Sequence, residues 1–331
     1  MIVVCGTAVV DIIAGNLLKI AEPGELVFTP IEVRIGGHAC NVSLDLAQMG
    51  VPRHKFSAII AVGRDVFGDF PRRTLEKARV NVNVQKIREA PTSKDLILIR
   101  KGEDRRFHVD PGANMYLSPD FVLRVLAKQR PVLFYVGGVG MLHRLDEKLV
   151  IVLREAKKLG AMTFVDVVTP LKKSWDFLAP IFEWTDLFHC NNTELKEIMR
   201  ESDLSRAVKR MLERGVGFCF TTMGRKGLLA GLRGTEILMP AFKIEEVDPT
   251  GAGDAFCSGL ISKLFPRLES NVDASTMDLK HWKETLLYAS ACGAACCTAI
   301  GATASVKPKY IGRLIRQQGN EVIKATRVRR L

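Results

Sequence analysis

Residues 247–259, Val-Asp-Pro-Thr-Gly-Ala-Gly-Asp-Ala-Phe-Cys-Ser-Gly, place a flexible turn, Gly251-Ala252-Gly253, directly before an acid, Asp254. An apolar run with helical spacing follows (Ala255, Phe256, Leu260, Ile261, Leu264). Unpaired N–H groups at a helix start point outward and the helix dipole favours negative charge there, so such a turn can hold a phosphate. Asp254, in the first helical turn, could accept a proton from an attacking hydroxyl. A glycine turn capped by an acid is also ordinary structure. Asp248 and Thr250 argue against that plainer reading, because they add oxygen ligands where the counter-ion of a phosphate would sit.

Asp248-Pro249-Thr250-Gly251-Ala252-Gly253-Asp254 resembles the C-terminal signature of the ribokinase-type (PfkB) carbohydrate kinases, D-T-x-G-A-G-D, with Pro249 where Thr is common. The stretch from Gly36 to Gly50, with Gly37 and Asn41, resembles that family's N-terminal motif G-G-x-x-x-N-x-A-x-x-L-A-x-L-G. Two long motifs roughly two hundred residues apart in the family's order are far more specific than either alone. Weaker matches at Gly63 to Gly68, Asn191 to Glu194, Thr222 to Gly227 and Gly301 to Ser305 extend the resemblance over nearly the whole chain.

The resemblance implies ATP-dependent phosphorylation of a sugar hydroxyl, with Asp254 as general base and the Gly251, Ala252, Gly253 and Asp254 backbone as anion hole. It assigns Asp11, Gly37 and Asn41 to the sugar, and their chemistry suits that task. A carboxylate accepts from two hydroxyls, an amide donates and accepts, and glycine permits close approach. Taken singly, they also read as a strand-end Asp and a helix-capping Asn. By the same resemblance Thr222, Gly224 and Gly227 form a nucleotide loop, although Thr-x-Gly before Lys and Gly also suits a plain hairpin. Asn191 and Glu194 hold Mg²⁺ through water, a spacing that equally suits a capping pair. Asp248, Thr250, Gly301 and Ser305 match positions for a monovalent cation such as K⁺. Pro111-Gly112-Ala113-Asn114 resembles ribokinases in particular and points to a pentose; Gly137-Gly138 stands where ribokinases tend to carry an acidic sugar ligand, and leaves the sugar open.

Positioning these groups requires a scaffold, and the pattern supplies one. Short apolar runs at Ile2 to Cys5, Lys55 to Val62, Val132 to Val136, Met162 to Val165, Leu187 to His189 and Phe218 to Thr221 alternate with helical segments. Those helices are expected at Ala39 to Met49, Asp69 to Ala78, Pro119 to Lys128, Asp146 to Lys158, Leu195 to Glu201 and Leu204 to Arg214. Such alternation predicts an α/β fold, a parallel sheet with helices on both faces. The expectation is a single ribokinase-like domain over 1–331. Val27 to Ile35 and the expected hairpin Leu96 to Val109 break the alternation and predict a small extra sheet. The resemblance makes that sheet a lid, about 12–36 and 95–110, and often the surface of a homodimer.

The 331 residues, 47% hydrophobic and 25% charged, suffice for a large core and show no disordered segment. The charge of +12 is scattered without interleaved aromatics, which favours attraction of anionic small molecules over nucleic acid. Eight cysteines without a C-x-x-C pair read as buried thiols, with a disulfide as the lesser alternative. No signal peptide or membrane span is expected, so the chain reads as cytoplasmic. A P-loop kinase would need a Gly-Lys dipeptide, which is missing, and a dinucleotide dehydrogenase would need G-x-G-x-x-G after the first strand, where Gly6-Thr7-Ala8-Val9-Val10-Asp11 stands. The remaining alternatives are a nucleoside kinase of the same family, or a catalytically silent sugar- or nucleotide-binding regulator.

Overall fold

The computed structural model describes every residue of the chain except Gly102, Asp104 and Asp273. The chain runs through β1 (Ile2–Gly6), β2 (Val9–Leu17), β3 (Ile31–Gly36), α1 (His38–Gln48), β4 (Phe56–Gly63), α2 (Asp69–Lys77) and β5 (Asn81–Ile87). It continues with β6 (Lys94–Arg100), β7 (Arg106–Asp110), α3 (Pro119–Gln129), β8 (Leu133–Val139), α4 (His143–Asp146), α5 (Leu149–Lys158) and β9 (Met162–Val167). Next come β10 (Leu187–Asn191), α6 (Asn192–Met199), α7 (Leu204–Glu213), β11 (Phe218–Thr222), β12 (Leu228–Leu232) and β13 (Thr235–Met239). The chain closes with α8 (Ala252–Glu269), α9 (Leu279–Cys296), α10 (Pro308–Ala325) and β14 (Arg327–Arg330).

Ten strands form the main sheet in the order β14-β13-β12-β11-β10-β9-β8-β1-β4-β5, parallel from β5 to β11 and antiparallel beyond. Apart from the edge strand β5, which alternates polar and apolar residues, the parallel strands are nearly continuous apolar runs because helices cover both faces. Ile2 and Val4 pack toward one apolar core, with Leu260 and Leu286; Val3 and Cys5 pack toward the other, with Val122 and Leu153. Strand order reverses at β1, which lies between β4 and β8, and in open α/β sheets ligands bind at the carboxyl ends of strands near such a reversal.

A separate sheet, β3-β2-β6-β7, sits beside the main one. The expected pairing of Leu96 to Arg100 with Arg105 to Val109 is present as antiparallel β6 and β7, while Gly102 and Asp104 of its turn lie outside the described residues. The expected strand from Val27 is shorter, beginning at Ile31. Pro30 has no N–H to donate to a ladder, and Ile31 pairs with Ala14, after which β2 changes register. The helix expected over Asp146 to Lys158 is two pieces, α4 and α5. Asp146 is turned to the preceding loop, where it accepts from Gly140 and Leu142 N–H and from Lys173. All eight cysteines are free and buried, and among the described residues no helix is long and apolar enough to cross a membrane.

Candidate active site

Helix α8 begins at Gly251, and no side chain caps its N-terminus. Asp248 shapes the entry: its Oδ1 accepts from Thr250 N at 2.9 Å and Thr250 Oγ1 at 2.6 Å, a local turn typical of Asp. Gly251 has φ 79°, a left-handed conformation, and a Cβ there would lie 2.5 Å from Ala302 Cβ. Only glycine meets both demands without strain. Gly37, φ 89°, leads into α1 in the same way, where a Cβ would meet Thr7 O at 2.6 Å.

Two contacts one helical turn apart join α1 to α8. Asn41 Nδ2 donates to Asp254 Oδ2 at 2.9 Å, and Ser258 Oγ donates to Asp45 Oδ2 at 3.0 Å. The i, i+4 spacing on both helices aligns the pairs. Asp45 is fully buried, and burial pushes its carboxyl well above the usual range. Asp254 Oδ1 is buried without a hydrogen-bond partner. Burial raises the Asp254 pKa, the pull of His38 and the Asn41 bond drawing it back only in part. A carboxylate poised this way is a better proton acceptor than a free aspartate. Asp11 lies across Gly36, and burial, reinforced by Asp95, Asp254 and Asp248, pushes it up to about 7. Two of the residues predicted for the sugar, Asp11 and Asn41, thus lie near Asp254.

On the other side of the turn, Thr222, Gly224, Gly227, Ala252 and Gly253 line one cleft of about 180 Å³ with Phe242. Thr222 to Leu228 is a hairpin, from β11 to β12. Asn191 and Glu194 form a full capping box at the start of α6: Asn191 Oδ1 accepts from Thr193 N and Glu194 N, and Glu194 Oε2 from Asn191 N. The Asn191 side-chain oxygen is therefore occupied by its own helix. Glu194 keeps its second carboxylate oxygen, and burial raises its pKa, the situation of an acid that lacks a counter-ion. The capping reading of this pair is thus present in full, and it leaves the second Glu194 oxygen and the Asn191 amide nitrogen outside the box.

Asp248, Thr250 and Gly301 come together as expected, with Gly301 N donating to Asp248 Oδ2 at 2.8 Å; buried Ser305 lies farther along the same loop. The Asn114 amide is engaged by the backbone of Ala8, at 3.0 and 3.1 Å, beside Gly37. Gly137 and Gly138 have no room for an acidic ligand, since Tyr135, His38 and Thr7 already crowd them.

A buried polar network under the turn is absent from the sequence reading. Asp166 accepts from Tyr135 Oη at 2.7 Å and pairs with His189 Nδ1 at 2.7 Å, and His189 Nε2 lies 3.2 Å from Thr222 Oγ1. Burial opposes both charges, yet the pair outweighs it, holding Asp166 below and His189 above their usual ranges. The available signal was a polar residue near the carboxyl end of an otherwise apolar parallel strand, in both β9 and β10.

Residues 1–309 match the pfkB family carbohydrate kinases, so the chain belongs to that family and is a carbohydrate kinase. It is similar to a fructokinase of Klebsiella pneumoniae, 28% identical over 92% of this chain and 96% of the relative. A deoxyribokinase of Salmonella typhi is 25% identical over 77% of this chain and 82% of its own. Among solved structures, the fructokinase from Xylella fastidiosa with bound ATP superposes with a TM-score of 0.81 at 20% identity, covering 96% of this chain and 98% of that one. The ribokinase from Giardia lamblia gives 0.80 at 20% identity, covering 94% and 98%. These likenesses establish the ribokinase fold, with its large mostly parallel sheet and separate small sheet.

Proposed function

We propose that the protein transfers the γ-phosphoryl group of Mg·ATP to a hydroxyl of a small sugar, a pentose or hexose. The observation that carries this reading is the junction at the start of α8, where the Asn41–Asp254 pair meets the nucleotide cleft lined by Gly253. Asp11 and Asn41 orient the sugar and Asp254 takes the proton of the attacking hydroxyl. The N–H groups of the Gly251 to Asp254 turn face the charge that develops on the transferring phosphate. Glu194 holds the water shell of Mg²⁺, which when bound neutralises the phosphates. The small sheet acts as a lid that excludes competing water. The names of the relatives, fructokinase and deoxyribokinase, support a hexose or pentose acceptor.

The test is ADP formation from Mg·ATP across pentoses, hexoses, ketoses, inositol and nucleosides. Turnover with one free sugar is the expected result. Turnover with nucleosides alone would replace the acceptor, and silence with bound ATP would overturn the kinase reading in favour of a binding role.

Glu194→Gln separates the two duties of that side chain. A glutamine oxygen can still accept the Asn191 N–H, as capping boxes use either residue. The melting temperature should therefore hold while the Mg²⁺ concentration needed for half-maximal turnover rises by about tenfold, or about 1.4 kcal/mol. An unchanged Mg²⁺ requirement would reduce Glu194 to a cap.

A further inference from the structure

Two of the residues assigned to a monovalent cation, Asp248 and Thr250, already have other partners. Asp248, 6% exposed, receives Nη1 of Arg105, the residue just before β7, at 2.7 Å on Oδ1, beside the two Thr250 donors, and Gly301 N on Oδ2. The same Arg105 nitrogen also reaches Thr250 Oγ1. The carbonyl oxygens of Thr250 and Ala302 face the Cys296 thiol at 3.1 and 3.0 Å. From the other side, Arg34 donates to Ile300 O at 2.6 Å and lies against Gly301, where a Cβ would collide with it. The space left among Asp11, Arg34, Arg105, Asp248 and Gly301 is about 20 Å³, room for one water molecule. A metal cation needs open oxygens and is repelled by like charge; here the oxygens face hydrogen-bond donors and two guanidinium groups. The residues do not fit the ion.

We infer that Arg105 supplies from within the chain the positive charge that the resemblance gave to a monovalent cation, making the enzyme independent of K⁺. Arg105 is a positioning residue: it holds Asp248 and Thr250, which set the turn at Gly251. Because it directly precedes β7, that charge reaches the turn only when the small sheet is docked. The turnover arm of the test rests on the kinase reading, whereas the melting arm does not.

The full-length protein, Arg105→Met and Arg105→Lys are compared in KCl and in choline chloride at equal ionic strength, by melting temperature and by turnover. The wild type and Arg105→Lys should be indifferent to the salt. Arg105→Met should lose turnover in choline by on the order of 10- to 100-fold through misplacement of the turn, regain it in K⁺, and melt higher as K⁺ rises. Stimulation of the wild type by K⁺, or an Arg105→Met protein that ignores K⁺ in both readouts, would overturn the inference. Should Arg105→Met not fold in either salt, the wild type decides: indifference sustains the inference and stimulation ends it. A protein silent with every sugar refutes the kinase reading alone, since its melting still reports cation binding.

Discussion

Asp254→Asn is expected to lower turnover with the accepted sugar by about 100- to 10,000-fold, the usual contribution of a general base. The substitution keeps shape and leaves an oxygen to accept the Asn41 amide at the 2.9 Å contact, so folding should survive. It removes the negative oxygen that is buried without a partner, the one atom free to take a proton. ATP affinity should stay within about threefold, because Gly251, Ala252 and Gly253 are untouched and loss of a nearby carboxylate cannot weaken anion binding. Titration calorimetry with ATP alongside the ADP assay gives both numbers. Retention of more than a tenth of wild-type turnover would remove Asp254 from the role of base.

Gly251→Ala should injure the same turn by a different physics. A non-glycine residue in the left-handed region costs about 1–2 kcal/mol. Overlap of the new Cβ with Ala302, whose Cβ, O and Cα lie 2.5, 2.7 and 2.8 Å away, adds about 1–3 kcal/mol. The combined loss appears as a lower midpoint of urea unfolding at unchanged slope. Gly253→Ala is the contrast: its only close neighbour is His189 Cε1 at 3.2 Å, so the fold should hold while the KM for ATP rises from crowding of the anion site. If Gly251→Ala unfolds at the wild-type midpoint, the backbone of this turn is less constrained than its contacts require.

The parallel strands β1, β4, β8, β9, β10 and β11 were legible because each is a short apolar run, and the glycine turn because Gly-Ala-Gly-Asp is a rare local combination; the parallel edge strand β5 escaped because Asn81-Val82-Asn83-Val84-Gln85-Lys86 alternates with polar residues. What escaped was decided by distant partners. Pro30 cut the expected strand short where the ladder with β2 ended. The antiparallel strand β14 at the sheet edge gives little periodic signal, being a run of Arg327-Val328-Arg329-Arg330 whose partner, β13, lies far upstream. Arg105 looked like one more solvated charge in a basic chain, since nothing local says that its guanidinium meets Asp248 across 143 positions. Asp166 and His189 were hidden in the same way, each a lone polar side chain until the sheet sets β9 beside β10. Short-range chemistry reads from sequence; pairing of charges across the fold does not.

The two contacts that tie α1 to α8 each span 213 positions. Asn41 is therefore made early in synthesis and Asp254 late, roughly 10–40 s apart at about 5–20 residues per second. On the proposed assignment, a nascent chain during that interval holds the residues for the sugar without the base, and a fragment ending before α8 is expected to be inactive. Activity of this kind would accordingly report that synthesis has passed α8 and that α1 and α8 have met.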